Sequence, residues 1–86
     1  MKYVADITVR LKKSILDPQG DAVRSALKSM DYVGVHEVRI GKRIEVRLEA
    51  VNEAECSKVV DEMCARLLAN TVVEMYDYSI REETGE

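Results

Sequence analysis

The sequence predicts an α+β fold of two layers, a four-stranded antiparallel sheet with two helices on one face. Three observations predict it. Residues Tyr3–Leu11 alternate in polarity, Asp17-Pro18 marks the start of a helix with one apolar face, and the second half loosely repeats the strand and helix scheme of the first.

Along the first strand, Tyr3, Ala5, Ile7, Val9 and Leu11 alternate with Lys2, Asp6, Thr8, Arg10 and Lys12, the period of a strand with one buried face. Val4 breaks the polar side, so the second face is not expected to lie wholly in water. Asp17 has a short side-chain oxygen able to accept from the first free amides of a helix. Pro18 has its φ pre-set for the first helical position. Ala22, Val23, Ala26, Leu27 and Met30 then recur at helical spacing, which predicts a helix held by packing of that stripe.

After a loop over Asp31–Gly34, the runs Val35–Ile40 and Arg43–Ala50 read as two strands joined by Gly41-Lys42 as a type II′ hairpin turn. Val38, Ile40, Ile44, Val46, Leu48 and Ala50 are assigned to one side, and Glu37, Arg39, Arg43, Glu45, Arg47 and Glu49 to the other. Asn52 with Glu55 three residues on resembles a capping box. The stripe Cys56, Val59, Val60, Met63, Cys64, Leu67 and Leu68 marks the strongest helix in the chain. Ala69-Asn70 ends it, and Val72–Arg81 reads as the last strand. The order strand, helix, strand, strand, helix, strand describes a ferredoxin-like plait, βαββαβ, as one domain over residues 1–81 with an acidic tail over 82–86.

Eighty-six residues, 47% apolar and 34% charged, fit one globular domain small enough for self-association to be a common route to further burial. The net charge of −3 argues against a general nucleic-acid binder. No apolar run approaches the ~20 residues of a membrane span, and Asp6 stands where a signal peptide needs its apolar stretch. A cytoplasmic protein is therefore expected.

Few polar groups are placed for catalysis. Cys56 and Cys64, eight positions apart on one helix, have backbones about 12 Å apart, beyond the ~7 Å reach of a disulfide. They read as buried, reduced thiols. His36 has no Cys or His at metal-ligand spacing and reads as a surface or interface residue. Ser14, Ser25, Ser29, Ser57 and Ser79 lack a nucleophile elbow. Gly41-Lys42 fails as a phosphate loop, because His36 and Arg43 stand where Gly and Ser or Thr are needed. The expected open sheet face, Lys2, Val4, Asp6, Thr8, Arg43, Glu45, Arg47 and Glu49, has no aromatic on which RNA bases could stack. Lys12-Lys13-Ser14-Ile15-Leu16 lacks the Arg and Gly of a small-phosphatase loop. The last strand has apolar groups on both faces, with Tyr76 and Tyr78 on one and Val73 and Met75 on the other. These four residues are expected to form a self-association surface.

The chain resembles the PurS family, the small subunits of phosphoribosylformylglycinamidine (FGAM) synthase. The likeness rests on Leu16-Asp17-Pro18-Gln19-Gly20 with Ala22-Val23 and Ala26-Leu27, on Val38-Arg39-Ile40-Gly41-Lys42, and on Met63-Cys64 with Leu67-Leu68-Ala69-Asn70 before the Tyr-bearing strand. Asp31 and Thr71 depart from the pattern, which often has Gly and Pro there. The resemblance implies a non-catalytic, homo-oligomeric subunit, dimer or tetramer, that joins a glutaminase subunit to a large synthase subunit and supports ammonia transfer. It implies no cofactor on this chain, with ATP and Mg used by the synthase subunit. Pro18, Gln19, Gly20, Arg39, Gly41, Lys42 and Asn70 are then the candidate partner contacts or rigid turns. The alternative reading is a dimeric regulatory domain that binds a small ligand between subunits.

Overall fold

The computed structural model describes residues 1–83, and the end of the expected acidic tail, residues 84–86, lies outside them. The elements are β1 (Lys2–Leu11), α1 (Pro18–Ser29), β2 (Gly41–Glu49), α2 (Glu53–Met63), which continues into a π-helical turn over Cys64–Leu68, and β3 (Glu74–Glu82). Both strand pairings are antiparallel, and the sheet order is β2-β1-β3. β1, the most apolar strand, is therefore central. Ile7 lies opposite Ile44 on one side and Tyr78 on the other. Glu83 N donates to the Lys2 carbonyl just past the end of β3.

The expected four-stranded sheet is not formed: the sheet has three strands. Residues 35–40 are extended but pair with no strand, and Gly41-Lys42 is not a turn. Gly41 and Lys42 are the first residues of β2, opposite Arg10 and Val9. Gly41 has no left-handed φ, and Asp31 is the non-glycine residue that has one, at 72°. The physical reason lies in the phase of the alternation. A two-residue turn sets Ile40 opposite Arg43 on the same face, whereas Val38, Ile40, Ile44, Val46 and Leu48 keep a single even-numbered phase that suits one straight strand. Residues 35–40 lead into β2, whose pairing with β1 begins at Gly41 opposite Arg10.

α1 does not join the sheet as a covering layer. Among the described residues, the sheet packs against α2 through β1 and β3, and α1 has no comparable interface with any strand. The core is Tyr3, Ala5, Ile7 and Val9 beneath Cys56, Val60 and Cys64, with Ile44, Val46, Leu48, Tyr76, Tyr78 and Ile80 half-buried around them. The radius of gyration is 16.8 Å, against about 12 Å for a compact chain of this length. The chain is 51 Å long and 15 Å thick.

Both helix starts match the sequence reading. Asp17 accepts from Gly20 N at 2.9 Å with Pro18 in the first turn, and Asn52 accepts from Glu55 N at 2.8 Å. Asp31 follows the end of α1 in the left-handed conformation open to Asp at some cost. The π turn, with Ala69 N bonded to the Cys64 carbonyl five residues back, departs from the regular helix expected over this stretch. It leaves Leu67 82% exposed although Leu67 belongs to the predicted stripe. Val4 is buried on the opposite sheet face, opposite Arg47 on one neighbouring strand and Arg81 on the other.

Ile7 is fully buried at the centre of β1, so Ile7→Ala removes packing on both neighbouring strands and on α2. The expected loss is about 2–5 kcal/mol, read as a lower midpoint in guanidinium unfolding with an unchanged slope.

Candidate functional site

Asp17 lies where α1, the segment over 35–40 and β2 meet. Its carboxylate is buried and accepts from Gly20 N at 2.9 Å and from Ile40 N at 2.7 Å. Those two backbone hydrogen bonds, Ile40's first, hold the carboxyl below its ordinary pKa. Arg39 reaches the other way, with Nη2 donating to the carbonyls of Lys12 at 2.9 Å and Ile15 at 3.0 Å. Arg24 adds a longer bond to the His36 carbonyl at 3.4 Å. The amino end of α1 is thereby fastened to the lead-in of β2.

The seven candidate contact residues separate by role. Gly20 is buried, and a Cβ there would collide with the Val38 carbonyl oxygen. Gly41 lies so close to β1 that a Cβ would come within 2.7 Å of the Val9 carbonyl oxygen. Pro18 opens the helix, and Arg39 clamps two carbonyls. Asn70 shapes a turn: its Oδ1 accepts from Val72 N, and its own N–H donates to Glu74 Oε1 at 2.7 Å. Gln19 and Lys42 are exposed and line a shallow cavity of about 240 Å³ with Val9, Leu11, Ile40 and Glu74. Six of the seven thus gather at one end of the sheet or on the segment leading into it, and Asn70 sits in the turn before β3.

On β3, Tyr76 and Tyr78 face α2. Tyr76 Oη donates to Asp61 Oδ1 at 3.0 Å, and Tyr78 Oη lies 3.2 Å from Ser57 Oγ. The hydrogen bond to Asp61, followed by partial burial, raises the Tyr76 pKa. Their rings are stacked with centroids 6.5 Å apart. Val73 is half-buried, and Met75 lies exposed on the opposite face beside Arg10.

Two surfaces remain. On the helix-bearing face, α2 covers β1 and β3, and the β2 side with Ile44, Val46 and Leu48 is only half-buried. The α1 stripe has no cover, with Val23 39% and Met30 63% exposed. Sequence reading took that stripe as core; its apolar pattern is the same whether the cover is this chain or another. The opposite face carries an ion-pair network. Asp6 binds Arg43 at 2.7 Å and Arg81 at 3.3 Å, Arg81 meets Glu45, Arg47 meets Glu83 and Arg10 meets Asp77.

Among the described residues, no three His, Cys, Asp or Glu side chains converge to hold a metal ion. No helix there is long and apolar enough to cross a membrane. Cys56 and Cys64 are buried and unbonded, and burial raises both thiol pKa values, which keeps them protonated near neutral pH. His36 is exposed.

Residues 4–82 match the family described as PurS, phosphoribosylformylglycinamidine (FGAM) synthase. The PurS subunit of phosphoribosylformylglycinamidine synthase from Synechocystis is 53% identical over 83 residues, 96% of this chain and 83% of the relative. The structure of Bacillus subtilis PurS superposes with a TM-score of 0.84 at 49% identity, covering 93% of this chain and 99% of that one. A chain of the PurLQS structure from Thermotoga maritima gives a TM-score of 0.84 at 30% identity, covering 96% and 99%.

Because the Asp17 pKa is lowered on folding, its contribution to stability is full above the ordinary carboxylate value of about 4. It is lost as pH falls through the lower folded value. Asp17→Asn keeps an acceptor for one amide only, so it should melt below the parent at pH 7. The gap should close as the pH is lowered in matched thermal scans. A gap independent of pH would show that the charge contributes nothing.

Proposed function

Because the chain belongs to the PurS family, it is a subunit of phosphoribosylformylglycinamidine synthase in purine biosynthesis, and we propose that its part there is assembly. In this reading it self-associates, as a dimer or tetramer, and joins a glutaminase subunit to the large synthase subunit so that ammonia passes between them. The PurLQS structure that contains a similar chain supports such a complex. The chain itself performs no bond chemistry and binds no cofactor, and ATP and Mg serve the synthase subunit. It works in the cytoplasm and binds neither nucleic acid nor membrane.

One observation carries this reading: the chain has a helix stripe and half a sheet face that want cover, and they do not cover each other. Ala22, Val23, Ala26 and Leu27 of α1, with Met30 at its end, complement Ile44, Val46 and Leu48 of β2 in character, yet α1 has no comparable interface with β2. A second copy related by a two-fold axis satisfies both at once, each α1 lying on the other's β2 side. Burial of apolar surface of this kind is the main driving force of association. The larger subunits are assigned to the sheet end, where Gln19 and Lys42 present free side chains on a frame fixed by Pro18, Gly20, Arg39 and Gly41. Asn70 holds the nearby turn into β3. Met75 and Val73 remain candidates for a second contact between copies, and Tyr76 and Tyr78 support it from behind.

Val23→Asp combined with Leu27→Asp places two charges in the proposed seam. The variant is expected to sediment at a lower mass than the parent and to restore less glutamine-dependent FGAM synthesis when mixed with the two larger subunits. Unchanged mass would remove the seam from α1. Equal synthesis with and without the parent chain would end the assembly reading.

A further inference from the structure

The ion-pair network on the sheet face opposite the helices stops short of its end. Arg43, Arg47, Arg81 and Arg10 each meet an acid, whereas Lys12, Lys13 and Arg39, just beyond, have no acidic partner within salt-bridge distance among the described residues. These three cations line an open cavity of about 530 Å³ together with Arg10, Glu37, Leu11 and Met75. Its frame is fixed by backbone bonds. Lys12 N donates to the Val73 carbonyl at 2.9 Å, the Lys12 carbonyl accepts from Ile15 N at 2.9 Å, and Arg39 clamps that same carbonyl. Arg39 uses Nη2 for the clamp and keeps its other N–H groups for a ligand.

We propose that this cavity binds a sugar phosphate, with the phosphate held by Lys12, Lys13 and Arg39. Three cations that form no ion pair among the described residues outnumber the one carboxylate of the cavity, Glu37, and match a phosphate dianion through charge-assisted hydrogen bonds. The volume is far larger than inorganic phosphate needs, so the ligand has an organic body. The Glu37 carboxylate accepts hydrogen bonds from hydroxyl groups, and Leu11 with Met75 offers apolar contact to the carbon skeleton of a sugar ring. The cavity lies on the face away from α2 and from the seam proposed for the second copy. It shares Met75 with the second contact considered between copies and Arg39 with the frame at the sheet end, so the site is tested by ligand binding to this chain alone, apart from assembly.

The test titrates the full chain with ribose 5-phosphate, inorganic phosphate and ribose, following backbone amide NMR shifts. Ribose 5-phosphate is expected to move the amides of residues 11–14 and 37–40 saturably, inorganic phosphate to bind more weakly, and ribose not to bind. Lys12→Gln with Lys13→Gln should weaken binding roughly tenfold or more. Arg43→Gln, on the same face but inside the ion-pair network, should leave it within about twofold. No saturable shift with the sugar phosphate would overturn the proposal. So would equal affinity for inorganic phosphate, or a double variant that binds as the parent does. If the double variant instead lost only its joining to the larger subunits, the patch would be a protein-docking surface and the site refuted.

Discussion

The arrangement of this chain depends on one buried carboxylate. Asp17 accepts from the third residue of its own helix and from the amide that precedes β2, so a single side chain fixes both where α1 begins and where the long straight strand starts. A hydroxyl could meet either amide alone, but its one oxygen does not serve two donors that Asp17 meets with separate oxygens. Gly20 completes the joint, because a side chain there would strike the Val38 carbonyl that the carboxylate holds close. The helix is therefore anchored chiefly at its amino end, with one longer bond from Arg24 to the His36 carbonyl, and most of its apolar stripe stays uncovered by this chain.

Local features were legible in the sequence because local physics sets them. The caps at Asp17 and Asn52, the alternation of β1, the buried thiols and the charged outer face all follow from residue types a few positions apart. The hairpin at Gly41-Lys42 was misread because Gly at a loop position is compatible with a turn and does not require one. The correcting signal was present in the even-numbered phase of Val38, Ile40, Ile44, Val46 and Leu48, which a two-residue turn would have reversed. The π turn carries no comparable mark, since the stripe through Leu67 and Leu68 suits either kind of helix. Among the candidate contacts, Gly20 and Gly41 lie against the backbone near the sheet end. That a glycine serves close approach rather than a partner is visible only once the opposing carbonyls are in place.

The two sheet faces divide the labour of recognition. One is apolar and half-covered, suited to non-directional burial against another copy or subunit. The other is a lattice of paired charges, with Asp6 set between Arg43 and Arg81 and Glu45 meeting Arg81, which keeps that face wet and gives it a defined register. Surface pairs of this kind add little stability individually. Their larger effect is to make a wrong stacking of two such faces oppose like charges.

The five-residue hydrogen-bond step between Cys64 and Ala69 also bears on how the chain can vary in length. A π turn holds one residue more than an α-helix would need to span the same distance, and here it sits between the buried Cys64 and the buried Ala69, which are both fixed in the core. Removing one residue from that stretch would convert it to ordinary helix while leaving both anchors and every strand in register. Insertions and deletions are thus absorbed at the end of α2, at a point where Leu67 already faces outward.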